Sequence, residues 1–371
     1  MRTGSMSTVT KSEKVRTRFA VVRETRASTI TLILAVSAIV ILFALPAFAS
    51  RVLLQELFYV FTMLSLAQLW NLLAGSAGLI SVGQQAFVGV GAYALFAFTV
   101  IAGLDAVLSI VLSGALAGLV AIPAALIVFR LRGAYFAIGT WVVAEVCRLV
   151  LAQVKQLGGG TGTSLPPDIA SSIVGLDSVR DFFAVHGPAA RDMMVYWLAL
   201  LLALGTFALV YRLLRSRHGL ALSALGDSET AAESTGVDVF RTKFLIYVLT
   251  AVATGMVGAL IFLQKARISP DAAFSLIDWT AYVIFIVVIG GISSMEGPII
   301  GVAIFYLLQY YLAALGSWYL MLLGALAIVL MLFAPSGIWG VISHSLDLSL
   351  FPVRRKLIAI TGSVPDKDGK P

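Results

Sequence analysis

The stretch from Asp105 to Phe129 reads DAVLSIVLSGALAGLVAIPAALIVF. After Asp105 it carries no charged side chain, and Arg130 follows it directly. A helix needs about 20 predominantly apolar residues to cross the hydrocarbon core of a bilayer. This stretch therefore predicts a transmembrane helix.

The composition of the whole chain indicates the same class of protein. Hydrophobic residues make up 60% of the 371 residues and charged residues 12%, whereas ordinary globular proteins have about 45–50% and about 25%. Mean hydropathy is +0.98. A soluble fold could not cover so much apolar surface with so few charges, so the chain is predicted to be an integral membrane protein.

Nine further apolar runs resemble the first in length and are bounded by charges, prolines or glycine clusters. They lie at roughly 29–49, 53–73, 78–102, 133–152, 193–213, 244–264, 279–293, 297–315 and 318–334. Together with 105–129 they predict an all-α membrane protein of about ten transmembrane helices.

Ten crossings would place both termini on the same side of the membrane. Of the Lys and Arg residues, 19 then fall on that side, 6 on the other, and Arg148 lies within a span. Because basic residues are enriched in cytoplasmic segments, both termini are predicted to be cytoplasmic.

The same reading divides the chain into segments. Residues 1–28 are expected to form a basic cytoplasmic tail, residues 29–335 the transmembrane domain, and residues 336–371 a cytoplasmic C-terminal tail. The longest cytoplasmic loop is expected at 214–243. Residues 1–28 and 352–371 are polar and lack apolar periodicity, so they are expected to be unstructured.

Two junctions between spans, at 74–78 and 293–298, carry no Lys or Arg that would hold them at the cytoplasmic surface. Each is compatible with a tight turn at the interface or with a broken helix protected by its neighbours. We expect broken or re-entrant structure at one or both.

Polar side chains and glycines are concentrated between Asn71 and Tyr93, which reads NLLAGSAGLISVGQQAFVGVGAY. Uncharged amides and hydroxyls in a membrane need partners or a wet cavity, and small residues allow helices to approach closely. Residues Asn71, Ser81, Gln84 and Gln85 are therefore candidates for lining the path of a polar solute. The alternative is that they serve helix packing alone.

Glu145 and Arg148 are three residues apart in one predicted span, so their side chains can meet on one helix face. Pairing relieves much of the cost of a charge in the membrane. The pair is a second candidate for lining the path, where it would complement a zwitterionic solute; the alternative is a structural pair that orients the helix.

The 214–243 loop contains a pattern typical of a short helix. Asp227 or Ser228 can cap it, Glu229 lies in its first turn, and Gly236 ends it. The interior is Ala231, Ala232 and Glu233. A small Ala-Ala surface with acidic flanks fits a groove in another protein, although a solvated surface helix would have the same pattern.

Several classes of site are excluded by the sequence. Residues 158–164, GGGTGTS, lack the Lys of a phosphate-binding loop, and no Walker A pattern occurs in the chain. One Cys and three widely spaced His residues offer no metal site. No catalytic residue, metal or cofactor is therefore expected, and energy for any active transport must come from a partner.

The chain resembles the permease subunits of branched-chain amino acid ABC importers, of the LivM type, from about Asn71 to Gly340. Five ordered blocks carry the resemblance: 71–93, 131–148, 158–162, 226–243 and 289–298. The 226–243 block is similar to the E-A-A…G coupling segment of ABC permeases. The chain departs from the pattern in its longer basic N-terminal tail and in an extra Gly and Thr within 158–164.

The resemblance implies a non-enzymatic subunit of the bacterial cytoplasmic (inner) membrane that forms half of a translocation pathway. Its implied partners are a LivH-like second permease subunit, two ATP-binding subunits, an extracytoplasmic substrate-binding protein and membrane lipid, with no nucleic acid. Residues implied in coupling to the ATP-binding subunits are Asp227, Glu229, Ala231, Ala232, Glu233 and Gly236.

The solute implied by the resemblance is a branched-chain or related amino acid. Similar permeases carry urea or short amides, so that alternative stays open. An ion-coupled secondary transporter is a further alternative, but it would require acidic or histidine relays at mid-membrane, for which only Glu145 is a candidate. A membrane-embedded enzyme would need a nucleophile–base set or metal ligands in the spans, and the sequence offers none.

Overall fold

The computed structural model describes residues 18–22, 26–166, 173–334, 336–346, 350–351 and 356–360. The rest of the predicted N-terminal tail, residues 347–349 and 352–355, and the end of the C-terminal tail lie outside the described residues.

Helices dominate the described chain. The helices before the long loop are α1 (Arg26–Ala44), α2 (Arg51–Asn71), α3 (Gln84–Phe96), α4 (Ala106–Val128), α5 (Ala134–Leu151), α6 (Leu176–Phe183) and α7 (Gly187–Arg215). The others are α8 (Arg217–Asp227), α9 (Glu229–Ser234), α10 (Val239–Lys265), α11 (Pro270–Ala273), α12 (Tyr282–Gly290), α13 (Gly297–Leu312), α14 (Ser317–Phe333) and α15 (Gly337–Leu346). Wider π-helical turns extend three of them, at Leu72–Ser76, Ala97–Ile101 and Ile277–Ala281.

Among the described residues, 8 helical segments are long and apolar enough to cross a membrane, and two shorter apolar helices cover Ile33–Ala47 and Gly297–Leu312. The prediction of an all-α, multi-pass membrane protein is thereby confirmed. The quoted stretch at 105–129 forms α4, which Asp105 caps by accepting hydrogen bonds from the backbone N–H groups of Val107 and Leu108.

Two strand pairs complete the described structure. β1 (Arg18–Val22) pairs antiparallel with β4 (Lys356–Ile360), and β2 (Thr163–Ser164) with β3 (Arg267–Ile268). The expectation that both tails lack structure is therefore wrong for residues 18–22 and 356–360. The short apolar runs FAVV and LIAI supply the strand-forming residues there.

The boundary of the predicted C-terminal tail at residue 336 also needs correction. Residues 337–346 form α15, which packs against α12 and α13. Trp339 on this helix is only 7% exposed. The helix is apolar enough to pack on the bundle, so the folded part of the chain extends beyond residue 336.

The centre of the bundle is α3, in which every residue from Gln84 to Phe96 is buried. It packs mainly against α10 and α4. The contact is close because it is built from glycines: a Cβ added at Gly91 would lie 2.1 Å from the carbonyl oxygen of Gly255. Close approach of this kind allows packing in lipid, where no hydrophobic effect drives helices together.

The helices at the periphery are α1, α5 and α14. Their exposed side chains are mostly large and apolar, as expected for surfaces in contact with lipid or with another membrane chain. Of these three, α5 alone carries a charged pair.

Gly91→Ala should destabilise the fold by about 1–3 kcal/mol or more, because the added methyl group overpacks the contact with Gly255. The midpoint of thermal unfolding in detergent measures the effect. Gly205→Ala is the matched control, since nothing lies within 4 Å of a Cβ at Gly205. Equal midpoints for the two variants would contradict the packing.

Candidate functional site

The two predicted junctions are breaks between helices, and they contact each other. The first junction, residues 72–83, contains the π-helical turn 72–76 and an irregular segment; the second junction, residues 291–296, separates α12 from α13. The span predicted at 78–102 therefore becomes helical only at Gln84, and the span predicted at 279–293 is helical only to Gly290. A tight turn at the membrane surface and a broken helix deeper in the bilayer would both separate the helices at these positions, so the expectation of broken or re-entrant structure stays a prediction.

Asn71 holds the junctions together. Its Oδ1 accepts a hydrogen bond from the backbone N–H of Ser293 at 2.8 Å, and its Nδ2 donates to the carbonyl oxygen of Ser294 at 2.7 Å. The Ser293 hydroxyl donates to the carbonyl oxygen of Gly75 at 2.8 Å. These bonds satisfy backbone groups that each break leaves without a helical partner.

The contact between the junctions leaves no room for a side chain at Gly75, where a Cβ would lie 2.7 Å from the nitrogen of Ser293. Ser293 itself has φ of 67°, a left-handed conformation that is uncommon for residues other than glycine. Gln68 adds a further bond, from its Nε2 to the carbonyl oxygen of Met295 at 2.8 Å. The second junction is thus fixed by several bonds from α2.

The start of α3 is surrounded by hydroxyl and amide groups from other helices. Gln84 donates from Nε2 to the Thr254 hydroxyl on α10 at 2.7 Å. Gln85 accepts from the Thr280 hydroxyl at its Oε1, and its backbone N–H donates to the same hydroxyl at 3.2 Å. Ser81 accepts from the indole N–H of Trp70 through its carbonyl oxygen at 2.8 Å.

All four uncharged path candidates are therefore buried and bonded within this one chain. Asn71 is 5% exposed and Ser81 1%, and Gln84 and Gln85 are no more than 2% exposed. In this conformation their contacts are those of helix packing, the alternative left open by the sequence. Gln84 also keeps one buried oxygen, Oε1, without a hydrogen-bond partner in the structure.

Glu145 and Arg148 do form the ion pair expected from their spacing. Arg148 donates from Nε to both carboxylate oxygens of Glu145 at 3.0 Å, and from Nη2 to Oε1 at 2.6 Å. Its Nη1 reaches Asp271 at 2.9 Å. The side chains are 27% exposed for Arg148 and 44% for Glu145, so this array lies at the surface of the chain.

The 158–164 turn lies beside the segment that carries Asp271. A Cβ at Gly162 would lie 2.0 Å from the carbonyl oxygen of Ile268, and a Cβ at Gly158 would lie 2.1 Å from that of Gly162. Both glycines also have positive φ, 84° at Gly158 and 80° at Gly162. The turn is therefore pressed against the β3–α11 segment, next to the charged array.

The long loop contains the predicted short helix. Ser228 caps α9 by accepting from the backbone N–H of Ala231, while Asp227 ends the preceding helix α8. Glu229 forms an ion pair with Lys243 of α10. Gly236, which follows the helix, has φ of 87°.

The expected surface of two alanines is wrong in one respect. Ala231 and Glu233 are exposed, but Ala232 is only 1% exposed and belongs to the apolar core. A single helical turn places neighbouring residues on different faces, so Ala232 anchors α9 to the bundle. The helix exposes Glu229 and Glu233, one turn apart on one face, and Ala231 on a different part of its surface.

Sequence reasoning missed two acidic residues and their partners. Asp271 was not connected with Arg148, which is 123 positions away. Asp192, 7% exposed, accepts from Arg51 at 2.7 Å and from Gln55 and Gln264 at 3.3 and 3.2 Å. Asp192 directly precedes the apolar run at 193–213, and an acidic residue at that position needs a partner. This was the signal in the sequence for its contact with the start of α2.

Comparison with known proteins identifies relatives of the chain. A family model described as branched-chain amino acid transport system / permease component matches residues 49–332. The high-affinity branched-chain amino acid transport system permease proteins LivM of Salmonella typhimurium and Escherichia coli are each 27% identical over 279 residues, which cover 72% of this chain and 65% of the relative.

A probable branched-chain amino acid transport permease protein LivH of Methanocaldococcus jannaschii is 27% identical over 188 residues, covering 47% of this chain and 58% of the relative. The alignment with the LivM proteins thus spans slightly less than two thirds of their length, 65%. No solved structure matches the chain.

Asn71→Ala should destabilise the protein by about 1 kcal/mol for each partly buried backbone group left without its partner, here the N–H of Ser293 and the carbonyl of Ser294. The unfolding midpoint in detergent is the measurement. Ser76→Ala, which shortens a polar side chain in the same junction, is the control. If the two variants unfold at the same temperature, Asn71 does not hold the junctions together.

Arg148→Met should destabilise the protein more than Glu145→Gln, because the first leaves two carboxylates without the guanidinium whereas the second keeps the Arg148–Asp271 pair. The three side chains are 27% (Arg148), 44% (Glu145) and 88% (Asp271) exposed, so the loss in Arg148→Met should be on the order of 1 kcal/mol. Adding Glu145→Gln to Arg148→Met should recover part of the loss. Membrane yield and unfolding midpoint test the order, and a larger loss in Glu145→Gln would contradict it.

Proposed function

The chain belongs to the family of branched-chain amino acid transport system permease components, and on that basis we propose that it is the permease subunit of an ATP-driven importer. In this proposal it forms half of the translocation pathway, and a LivH-like permease subunit forms the other half. Two ATP-binding subunits supply the energy, and an extracytoplasmic binding protein delivers the solute. The names of the relatives support branched-chain amino acids as the solute.

The observation that carries the proposal is the exposed face of α9. Ala231 is a small exposed residue, Glu229 and Glu233 lie one turn apart on another part of the exposed surface, and Ala232 and the Glu229–Lys243 ion pair attach the helix to the bundle. A firmly attached helix transmits a displacement better than a mobile loop. We propose that this face docks in a groove of an ATP-binding subunit, with basic side chains at its rim.

The orientation follows from the charges. The side that carries α9 has 19 of the Lys and Arg residues, against 6 on the other, which supports a cytoplasmic position for the loop and for both termini. The pairing of β1 with β4 supports the proposal that both terminal segments lie on one side of the membrane. The membrane is the bacterial cytoplasmic membrane in this proposal.

The surface proposed to face the pathway is that of α5. Glu145, Arg148 and Asp271 form a partly exposed charged array on or beside an otherwise apolar helix. Such an array is unfavourable against lipid, so it suits a water-filled path shared with the second permease subunit. Its carboxylates complement the ammonium group of an amino acid, and Arg148 complements the carboxylate.

The four uncharged candidates have a structural role in this proposal; they are Asn71, Ser81, Gln84 and Gln85. They hold the two broken helices in register from inside the chain and do not touch the solute in the conformation described. Movement of α9 is passed to the first junction through α8, which directly precedes α9 in the chain and contacts the π-helical turn 72–76. Closure of the ATP-binding subunits would thus be passed to the breaks and turn the cavity inward.

Ala231→Arg should abolish ATP-driven uptake and binding of the ATP-binding subunits, because a long cation replaces a small exposed methyl group on the docking helix, while membrane insertion persists. The measurements are uptake of leucine, isoleucine and valine into proteoliposomes and co-purification of the ATP-binding subunits. Ser178→Arg, an exposed position on α6 predicted to lie on the opposite side of the membrane, is the control.

Normal uptake by the Ala231→Arg protein would contradict the docking role of α9. Uptake driven by an ion gradient without ATP-binding subunits would contradict the ATP-driven mechanism. Uptake of urea or acetamide in preference to amino acids would overturn the solute class but not the coupling. Ala232→Arg and Gly236→Pro are poorer tests, since Ala232 is buried and the positive φ of Gly236 is unavailable to proline.

A further inference from the structure

The second junction is held from the C-terminal side as well as from α2. Gly337, at the start of α15, lies so close to Gly291 that a Cβ at Gly337 would be 2.4 Å from the Cα of Gly291. Trp339 packs against the same place, its Cβ 3.6 Å from where a Cβ of Gly291 would be. This contact fixes the N-terminal end of the junction.

The opposite end of the junction is held by Phe351. Its backbone N–H donates to Oε1 of Glu296 at 2.9 Å, and Glu296 is a carboxylate only 7% exposed. The ring of Phe351 packs edge-on against Phe207 of α7, with centroids 4.9 Å apart. A buried carboxylate needs hydrogen-bond donors, so Glu296 ties the backbone at Phe351 to the junction.

The second junction is connected, through the first junction, to the segment that is proposed to dock on the ATP-binding subunits. Helix α8, which leads into α9, touches the π-helical turn 72–76. Gly75 in that turn accepts from the Ser293 hydroxyl, and Asn71 bonds to Ser293 and Ser294. A displacement of α8 therefore reaches the first junction and, through these bonds, the second junction. The second junction is held at both ends by C-terminal residues.

We propose that residues 337–346 and 350–351 brace the second junction, with Glu296 and Phe351 as positioning residues for coupling, so that movement of α8 and α9 is passed to α12 and α13 instead of being absorbed at the break. This inference rests on the proposed function of α9. Without the brace, the junction yields locally, and ATP hydrolysis continues with less transport.

The experiment uses the complete complex in proteoliposomes and measures solute transported per ATP hydrolysed. Phe351→Ala, which removes the ring contact, and Glu296→Ala, which removes the acceptor, should each lower that ratio by about two- to thirtyfold, the range for residues that couple distant sites. Phe351→Tyr and Glu296→Gln, which keep the ring and the acceptor, should retain most of it.

The matched control is Phe333→Ala, since Phe333 is 83% exposed at the end of α14. Co-purification of the ATP-binding subunits and the unfolding midpoint are measured for every variant. A lowered ratio in complexes that assemble and unfold like the unmodified complex supports the brace. Because the two residues act on one junction, the double variant should fall little further than either single variant.

An unchanged ratio in both Phe351→Ala and Glu296→Ala overturns the brace. If a variant fails to assemble, Phe207→Ala tests the same ring contact from the other side, and an unchanged ratio there overturns it equally. Failure of the proposed function is recognised separately: the unmodified chain would then show neither ATP-dependent uptake nor association with ATP-binding subunits.

Discussion

The hydrogen bonds from Asn71 to the backbone of Ser293 and Ser294 are the constraint on which the rest of the architecture depends. In a bilayer, backbone groups that lose their helical partners cannot turn to water, and each one left unpaired costs several kcal/mol. Two breaks that contact each other can supply these partners. The Asn71 carboxamide, with a donor and an acceptor, does this for the second junction, and the Ser293 hydroxyl does it for the carbonyl of Gly75 in the first.

The paired breaks place the other functional elements around them. Since residues 78–83 of the first junction are not helical, α3 begins only at the buried Gln84, among hydroxyls of α5, α10 and the turn before α12. The loop that carries α9 lies against the first junction and the C-terminal segment against the second. The charged array of Glu145, Arg148 and Asp271 lies away from the two junctions, on a surface of α5 that the rest of the chain does not cover.

Local features of this structure were predictable from the sequence, because their causes lie within a few residues. The uncharged run after Asp105 predicts α4 almost to the residue, and Ser228 and Gly236 bracket the short helix α9 correctly. The direction of a side chain depends on what it packs against, and so Ala232 was wrongly expected at the surface. Contacts such as Arg148–Asp271 and Asn71–Ser293 join residues more than 100 positions apart, and no spacing rule reaches them.

The most direct test of the account is the accessibility of α9. In a Cys147→Ser background, which removes the only native thiol, Ala231→Cys is labelled with a membrane-impermeant maleimide in vesicles of known orientation. The account predicts labelling in inside-out vesicles and protection when the ATP-binding subunits are added. Labelling from the outside, or labelling that those subunits do not reduce, would contradict it.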